Sequence, residues 1–250
     1  MWYTVSGFNI ILFGEAGVGK SSVINLLAGE QLAKVSSDFE PGTLKSTRYN
    51  LRLDGADVRI WDTAGLEEPT MAVSGYLAAI EKAHALIREL SDAGGVDLLL
   101  FCIRGSRITA TTQGNYRLFH EVLCNKEVPI ALTVTHLERE TRMEDWWARN
   151  VEFIKMYGIH SVGHACVTGV EEDEKYAESK QALRNLLQSQ LNNRRKFSMQ
   201  TESWFARILA GLGSFLHSKN PPKGERMVRT LVRRCNMDGE TARRLASLLA

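Results

Sequence analysis

The segment Gly14–Ser21, GEAGVGKS, constrains this chain more than any other feature, because it matches the pattern G-x-x-x-x-G-K-S/T. It follows an apolar run, Asn9–Phe13, and leads into a stretch of helical periodicity, Lys20–Ala28. In that context glycines let backbone N–H groups close around phosphates, and the helix N-terminus adds positive potential. The alternative is a glycine-rich turn with an exposed lysine. Agreement of every fixed position with the strand-to-helix context favours a phosphate-binding loop, called the P-loop below.

The pattern also gives the loop residues their expected roles. Lys20 is the catalytic candidate that reaches the β- and γ-phosphates, and Ser21 is the candidate ligand of Mg²⁺. The predicted nucleotide-binding residues of this region are Gly14, Glu15, Ala16, Gly17, Val18, Gly19, Lys20, Ser21 and Ser22.

Short apolar runs alternate with helix-period stretches up to about residue 193. Such alternation predicts an α/β fold: the three-layer sandwich of a P-loop NTPase, with a six-stranded, mostly parallel sheet. Asp54-Gly55, between the second and third strands, is a hairpin signal and predicts one antiparallel edge strand. The predicted strands are Asn9–Phe13, Ser46–Leu53, Val58–Trp61, Val96–Ile103, Ile130–Thr135 and Val162–Thr168. The predicted helices are Lys20–Ala28, Gly75–Ser91, Thr109–Cys124, Glu144–Tyr157 and Glu174–Leu191.

The stretch IWDTAGLEE, which ends the third strand, carries a second candidate cluster. Asp62 could hold the magnesium shell with its carboxylate, and Gly65 has a backbone N–H for the γ-phosphate. A loop threonine before the second strand, Thr43, is the candidate for sensing Mg²⁺ and the γ-phosphate, with Ser46 and Thr47 as competitors. Asp62, Thr43 and Ser21 therefore form the predicted metal set, and Gly65 and Thr43 join the catalytic set.

The residue after Gly65 is Leu66, where Ras-like switches have a glutamine that orients the attacking water. Leucine can neither donate nor accept a hydrogen bond. Hydrolysis by this chain would therefore need another group.

Base recognition is expected after the fifth strand, where the chain reads Thr135-His136-Leu137-Glu138 in place of N-K-x-D. Glu138 can accept hydrogen bonds from guanine N1 and N2, and the ring of His136 can stack on the base. The alternative is a strand end followed by a helix start. Thr168 and Gly169, near the end of the sixth strand, are further base-contact candidates.

The P-loop, the Asp-Thr-Ala-Gly stretch and the T-H-L-E stretch together resemble the septin/GIMAP/Toc branch of GTPases. The resemblance is closest to fungal GIMAP-like (AIG-type) G-domain proteins, and it spans roughly Asn9 to Leu191. It implies guanine nucleotide with Mg²⁺ as the bound ligands, and dimerisation across the nucleotide face where the glutamine is missing. In GIMAP and Toc proteins an arginine follows the fourth strand, and the matching stretch here is Gly105–Thr109. Arg107 is accordingly the candidate arginine finger acting in trans, Arg104 is second, and the alternative is a solvated loop arginine.

The charge distribution separates the end of the chain from its body. From Arg194 onward there are 12 basic and 4 acidic residues, whereas the remainder has 19 basic and 25 acidic ones. Trp204–Leu216 carries an apolar stripe at helical spacing, which could pack on the G domain, lie in a membrane interface or pair with a partner helix. We predict a G domain at 1–196 and a basic helical extension at 197–250, whose partner would be a membrane surface or an acidic protein face. No specific nucleic acid is expected as a partner.

The sequence thus predicts a GTP-binding switch or scaffold that hydrolyses GTP slowly and is stimulated by homodimerisation. Its expected location is the cytoplasm, with peripheral membrane association as an option. Four widely spaced cysteines without a C-x-x-C pair favour a reducing compartment. Two other hypotheses remain: a P-loop ATPase or kinase, and a nucleotide-locked interaction module without turnover.

Overall fold

The computed structural model describes residues 7–33, 47–63, 90, 94–106, 108–124 and 126–197, together with a few separate positions after residue 224. These residues form a six-stranded sheet with the strand order β2-β3-β1-β4-β5-β6. Only β2 runs antiparallel within the described sheet, and it lies at one edge. The strands are β1 Phe8–Phe13, β2 Thr47–Leu53, β3 Ala56–Asp62, β4 Leu98–Arg104, β5 Ile130–Thr135 and β6 His164–Cys166. This arrangement confirms the predicted fold class and its antiparallel edge.

The central strands are buried along their length because helices cover both faces of a parallel sheet. All six residues of β1 and all six of β5 are buried. In register, Ile10 of β1 pairs with Ile60 of β3 on one side and Leu98 of β4 on the other. The carboxyl ends of β1, β3, β4 and β5 therefore meet along one edge of the sheet, where α/β folds place their ligands.

The described helices are α1 Lys20–Ala28, α2 Ala110–Tyr116, α3 Met143–Met156 and α4 Tyr176–Phe197. Helix α1 is bounded by two glycines in left-handed conformation, Gly19 (φ 88°) and Gly29 (φ 78°), and the Gly29 N–H donates to the Asn25 carbonyl at 2.8 Å. Helix α4 packs against α1 and β6. Among the described residues, no helix combines the length and apolarity that crossing a membrane requires.

Most predicted bounds shift by one or two residues, and α4 runs to Phe197 instead of ending at Leu191. Two further elements differ more clearly. The stretch Thr109–Cys124 is not one α-helix: after α2 it continues as a π-helix, Arg117–Leu123. The wider turn accompanies the stacking of Phe119 on Phe13 in the core, with ring centroids 4.3 Å apart. The sixth strand is shorter than predicted: its register with β5 covers His164–Cys166, although the N–H groups of Val162 and Val167 also donate to β5 carbonyls. The predicted helix Gly75–Ser91 lies outside the described residues except for Leu90, and the Trp204–Leu216 stripe lies wholly outside them.

Candidate nucleotide-binding site

The P-loop connects β1 to α1 and takes a conformation that its glycines permit. Gly14, Gly17 and Gly19 have φ values of 152°, 73° and 88°, at which any residue with a Cβ is strained. A Cβ on Gly14 would lie 2.3 Å from the Cys102 carbonyl oxygen, so β4 allows no side chain there. A Cβ on Gly17, by contrast, would meet nothing within 4 Å. The loop is thus anchored against β4 at its start and open at its middle.

Lys20 folds back over the loop that precedes it. Its Nζ donates to the carbonyl oxygens of Gly14 at 3.2 Å and Glu15 at 3.1 Å. Burial lowers the pKa of the Lys20 ammonium, while the nearby Asp62 carboxylate acts in the opposite direction. The ammonium therefore lies inside the concave side of the P-loop, where phosphate oxygens could replace the two carbonyl acceptors.

Asp62 ends β3 and pairs in register with Leu12 of β1, close to the start of the P-loop. Its Oδ1 is buried without a hydrogen-bond partner among the described residues. Burial raises the pKa of this carboxyl to about 6, against the effect of Lys20, which lowers it. Thr63 fixes the strand end, because its N–H and its hydroxyl both donate to the Leu12 carbonyl at 3.0 Å.

The orphaned Asp62 oxygen tests whether the residues fit Mg²⁺. A hard cation takes oxygen ligands and keeps several waters, so one carboxylate and one hydroxyl suffice alongside the phosphates. Ser21, in the first turn of α1, supplies that hydroxyl. The residues present fit the ion: Asp62 and Ser21 would hold it, and it would neutralise charge on the phosphate oxygens.

The residues predicted for the base lie directly beside the P-loop. Thr135 is buried, and its hydroxyl donates to the Val18 carbonyl at 2.5 Å, with the Ile103 carbonyl and His136 Nδ1 at 3.2 and 3.1 Å. A Cβ on Gly19 would lie 3.6 Å from both Thr135 and the ring of His136. Thr135 therefore braces β5 against the P-loop, and its hydroxyl is already engaged.

His136 has a left-handed backbone, with φ 60°, which turns the chain out of β5. Burial lowers the pKa of its imidazole, and the nearby Arg104 guanidinium lowers it further. The ring is thus held neutral, a state suited to stacking on a base. Glu138 is half-buried, and its carbonyl oxygen accepts from Lys175 Nζ at 2.7 Å.

Lys175 also donates to the Glu140 carbonyl at 2.9 Å, so one ammonium fixes both ends of the turn that follows Leu137. Sequence reasoning missed this residue. A lysine in a polar loop carries no pattern that reveals two carbonyl acceptors more than thirty positions away.

Thr168 and Gly169 approach the same site from β6. The Thr168 N–H donates to Ser179 Oγ at 2.9 Å, and its hydroxyl accepts from the Val170 N–H at 3.2 Å. A Cβ on Gly169 would lie 2.5 Å from the Cβ of Ser22, so this loop packs on the first turn of α1. The structure brings the P-loop, Asp62, Thr135–Glu138 and Thr168–Gly169 to one edge of the sheet.

Glu15 makes a contact that its place in the motif does not suggest. Its Oε1 accepts hydrogen bonds from the hydroxyls of Thr109 at 3.0 Å and Thr112 at 2.7 Å. Thr109 and Thr112 also form the capping box of α2. A cavity of about 140 Å³ lies between the P-loop and the segment after β4, and Ser106 and Ile108 line it.

Three further site predictions, Thr43, Gly65 and Arg107, lie outside the described residues, as does Leu66. Their roles stay predictions.

A lysine-bearing glycine loop after β1, an acid ending the neighbouring strand and polar residues after β5 define a P-loop nucleotide-binding domain of the G-domain class. Residues 9–136 match the model of a known family, described as 50S ribosome-binding GTPase. That match covers more than half of the chain, and the chain belongs to this family. The predicted P-loop GTPase class, with guanine nucleotide as the ligand of its G domain, is thereby confirmed.

Two curated relatives are GTPase Der of Campylobacter curvus and tRNA modification GTPase MnmE of Nitrosomonas eutropha. Der is 26% identical over 166 residues, which are 65% of this chain and 32% of Der. MnmE is 35% identical over 131 residues, which are 51% of this chain and 25% of MnmE. The chain thus matches between a quarter and a third of each relative.

Among solved structures, Toc33 of Arabidopsis thaliana in complex with Mg²⁺ and GMPPNP superposes with a TM-score of 0.56 at 19% identity. The likeness covers 76% of this chain and 85% of that one. It shows a shared fold, and the ligands of Toc33 agree with the predicted GTP/GDP and Mg²⁺.

Proposed function

We propose that this chain is a GTP-dependent switch or scaffold protein that hydrolyses GTP to GDP and phosphate slowly, and that a second copy stimulates this turnover. Family membership and the geometry of the P-loop support the nucleotide and the reaction. The residues of this chain would enclose the phosphates with the P-loop amides and Lys20, and the base with His136 and Glu138.

One observation carries the proposal of dimer-stimulated turnover. The bonds from Thr109 and Thr112 to Glu15 hold the segment after β4 against the P-loop. Ser106 and Ile108 of that segment line the cavity beside the P-loop. Arg107 belongs to the same segment in the sequence, and we propose that its guanidinium reaches the phosphates of a copy docked across the nucleotide face. Such an arginine spreads positive charge over the transition state of phosphoryl transfer.

The Toc proteins supply independent support. Dimerisation is important for the GTPase activity of the chloroplast translocon components atToc33 and psToc159, whose structure is similar to that of this chain. Another Toc33 structure is that of a dimerisation-deficient mutant in which an arginine is replaced by alanine. These facts concern the Toc proteins, and with 18–20% identity they support the proposal by analogy. Membership of this chain in the septin/GIMAP/Toc branch is part of the same proposal.

The proposal includes a cytoplasmic location, with peripheral membrane association through the basic extension at 197–250. The surplus of basic residues after Arg194 supports an anionic partner for this segment. Sedimentation with vesicles of neutral or anionic lipid, for the full chain and for a chain ending at residue 197, tests it. Equal sedimentation of both chains would count against a membrane role of the extension.

The test of function is GTP hydrolysis per monomer across a dilution series of the full chain. Wild-type activity should rise with protein concentration, and Arg107→Ala should remove the concentration-dependent part while leaving GDP affinity unchanged. Arg52→Ala is the matched control, since Arg52 is exposed and pairs with Asp57 at the hairpin end of the sheet, away from the P-loop. Flat specific activity that is identical in all three proteins would refute dimer stimulation.

A single-turnover measurement with a long incubation decides between a slow enzyme and a nucleotide-locked module. GTP that stays intact on the wild-type protein at every concentration would favour the module, which Leu66 would explain.

A further inference from the structure

A cluster of three metal-ligating side chains lies outside the nucleotide site, between α3 and β6. His164 and Cys166 are two residues apart on β6, so their side chains point to the same face of the strand. Glu144 comes from the first turn of α3, which packs against β6. The candidate ligand atoms of Glu144, His164 and Cys166 all lie within 4.8 Å of one another.

Two contacts orient the cluster. His164 Nε2 is hydrogen-bonded to Glu144 Oε1. The imidazole also stacks on the indole of Trp147, with ring centroids 3.8 Å apart and an interplanar angle of 8°. The ring of His164 is therefore fixed by α3 in both position and direction before any cation binds.

The exposure of the three side chains increases from Cys166 through His164 to Glu144. Cys166 is only 3% exposed, whereas the side chains of His164 and Glu144 are 26% and 56% exposed. The thiol thus lies at the closed end and the carboxylate at the open end. An ion can enter from solvent past Glu144, and water can complete its coordination there.

We propose that Glu144, His164 and Cys166 bind a divalent transition-metal ion of the Zn²⁺ class, with water as the fourth ligand. One sulfur, one imidazole nitrogen and one carboxylate oxygen are the donor types that Zn²⁺ accepts in tetrahedral geometry. Because two of the three donors are a sulfur and an imidazole nitrogen, the set disfavours Mg²⁺ and Ca²⁺, which take oxygen ligands. Binding one ion would replace the hydrogen bond between His164 Nε2 and Glu144 Oε1 by a bond from each side chain to the ion, a movement that the exposed Glu144 side chain can accommodate.

Binding releases a proton, and the balance is simple. The neutral Cys166 thiol loses its proton to solvent as the sulfur–metal bond forms, and the imidazole of His164 binds through its lone pair. Cysteine binds metal as the thiolate, so this loss of a proton accompanies binding.

The site would join α3 to the strand that leads into Thr168 and Gly169. It uses none of the predicted nucleotide ligands, so the proposal stands or falls independently of the proposed function.

The test uses the full chain without a polyhistidine tag. Zn²⁺ affinity is measured by competition with a chromophoric chelator, and Co²⁺ is used as a spectroscopic substitute. Wild-type protein should bind one Zn²⁺, and its Co²⁺ complex should show a thiolate-to-metal charge-transfer band. Cys166→Ser and His164→Gln should each weaken Zn²⁺ binding by about tenfold or more and, for Cys166→Ser, abolish that band.

Cys124→Ser is the matched control, because Cys124 is also a buried cysteine whose thiol pKa burial raises to about 12, and it lies outside the cluster. It should leave both readouts unchanged. Retained GDP binding shows that each variant is folded. A wild-type protein that binds no Zn²⁺, or variants that bind it as tightly as wild type, would overturn the proposal, as would a Co²⁺ complex without the thiolate band.

Discussion

Replacing Asp62 by asparagine should change how the stability of the nucleotide-free protein depends on pH. Burial raises the pKa of this carboxyl from 3.8 to about 6, so the folded protein binds its proton more tightly than the unfolded chain does. A group of this kind adds stability while it is protonated, and that stability is lost as the pH rises from about 4 to about 6. At 1.36 kcal/mol per pKa unit, the full difference is about 3 kcal/mol, of which about 2 kcal/mol falls between about pH 4.5 and about pH 7.

Urea denaturation of wild type and Asp62→Asn, without nucleotide or Mg²⁺, measures this difference directly. Asparagine keeps the shape of the aspartate side chain but does not titrate. The contributions of all other titrating groups therefore largely cancel when the unfolding free energies of the two proteins are subtracted at each pH. We expect wild type to lose about 2 kcal/mol relative to Asp62→Asn over that pH range. A difference that stays constant with pH, or one that grows in favour of wild type, would refute the argument that Asp62 is a carboxylate ionised against its burial.

Three further substitutions test the architecture of the P-loop. Gly14→Ala should abolish nucleotide binding and lower Tm well beyond Gly55→Ala, because both glycines have positive φ but only at Gly14 would a Cβ meet a carbonyl oxygen. Glu15→Ala should cost about 1–2 kcal/mol in urea denaturation and raise hydrogen exchange at the start of α2, since two threonine hydroxyls lose a charged acceptor. Thr135→Val should cost about 1–3 kcal/mol, because it leaves a buried P-loop carbonyl unpaired. Thr133→Val, in the same strand, should be near neutral, since the Thr133 hydroxyl is buried without a partner among the described residues; equal losses at 133 and 135 would contradict this assignment.

The sequence predicted those parts of the fold that local pattern determines. Helix α1 begins and ends at the predicted residues because glycines flank it on both sides. Strand β5 also has its predicted bounds, since a continuous apolar run of six residues fits a strand buried on both faces. The β2–β3 hairpin follows from Asp54-Gly55, whose φ values of 49° and 86° are those of the turn that this dipeptide favours.

What the sequence did not predict depends on contacts between distant residues. The π-helix after α2 has the same apolar spacing as an α-helix, so periodicity could not reveal it. The carboxylate of Glu15 is bound by hydroxyls more than ninety positions away, although the motif alone places it among the nucleotide ligands. A pattern of residue types carries no information about such side-chain partners.

The departure of this chain from N-K-x-D has a structural consequence for the proposed base site. The Thr135 hydroxyl donates to the Val18 carbonyl of the P-loop, so it is engaged within the protein. The loop that carries Glu138 is held by Lys175, which follows β6 in the sequence and donates to the carbonyls of Glu138 and Glu140. Two contacts therefore fix this region: Thr135 joins β5 to the P-loop, and Lys175, in the loop before α4, holds the loop that carries Glu138. We therefore expect the proposed guanine contacts of His136 and Glu138 to depend on Lys175 for their position.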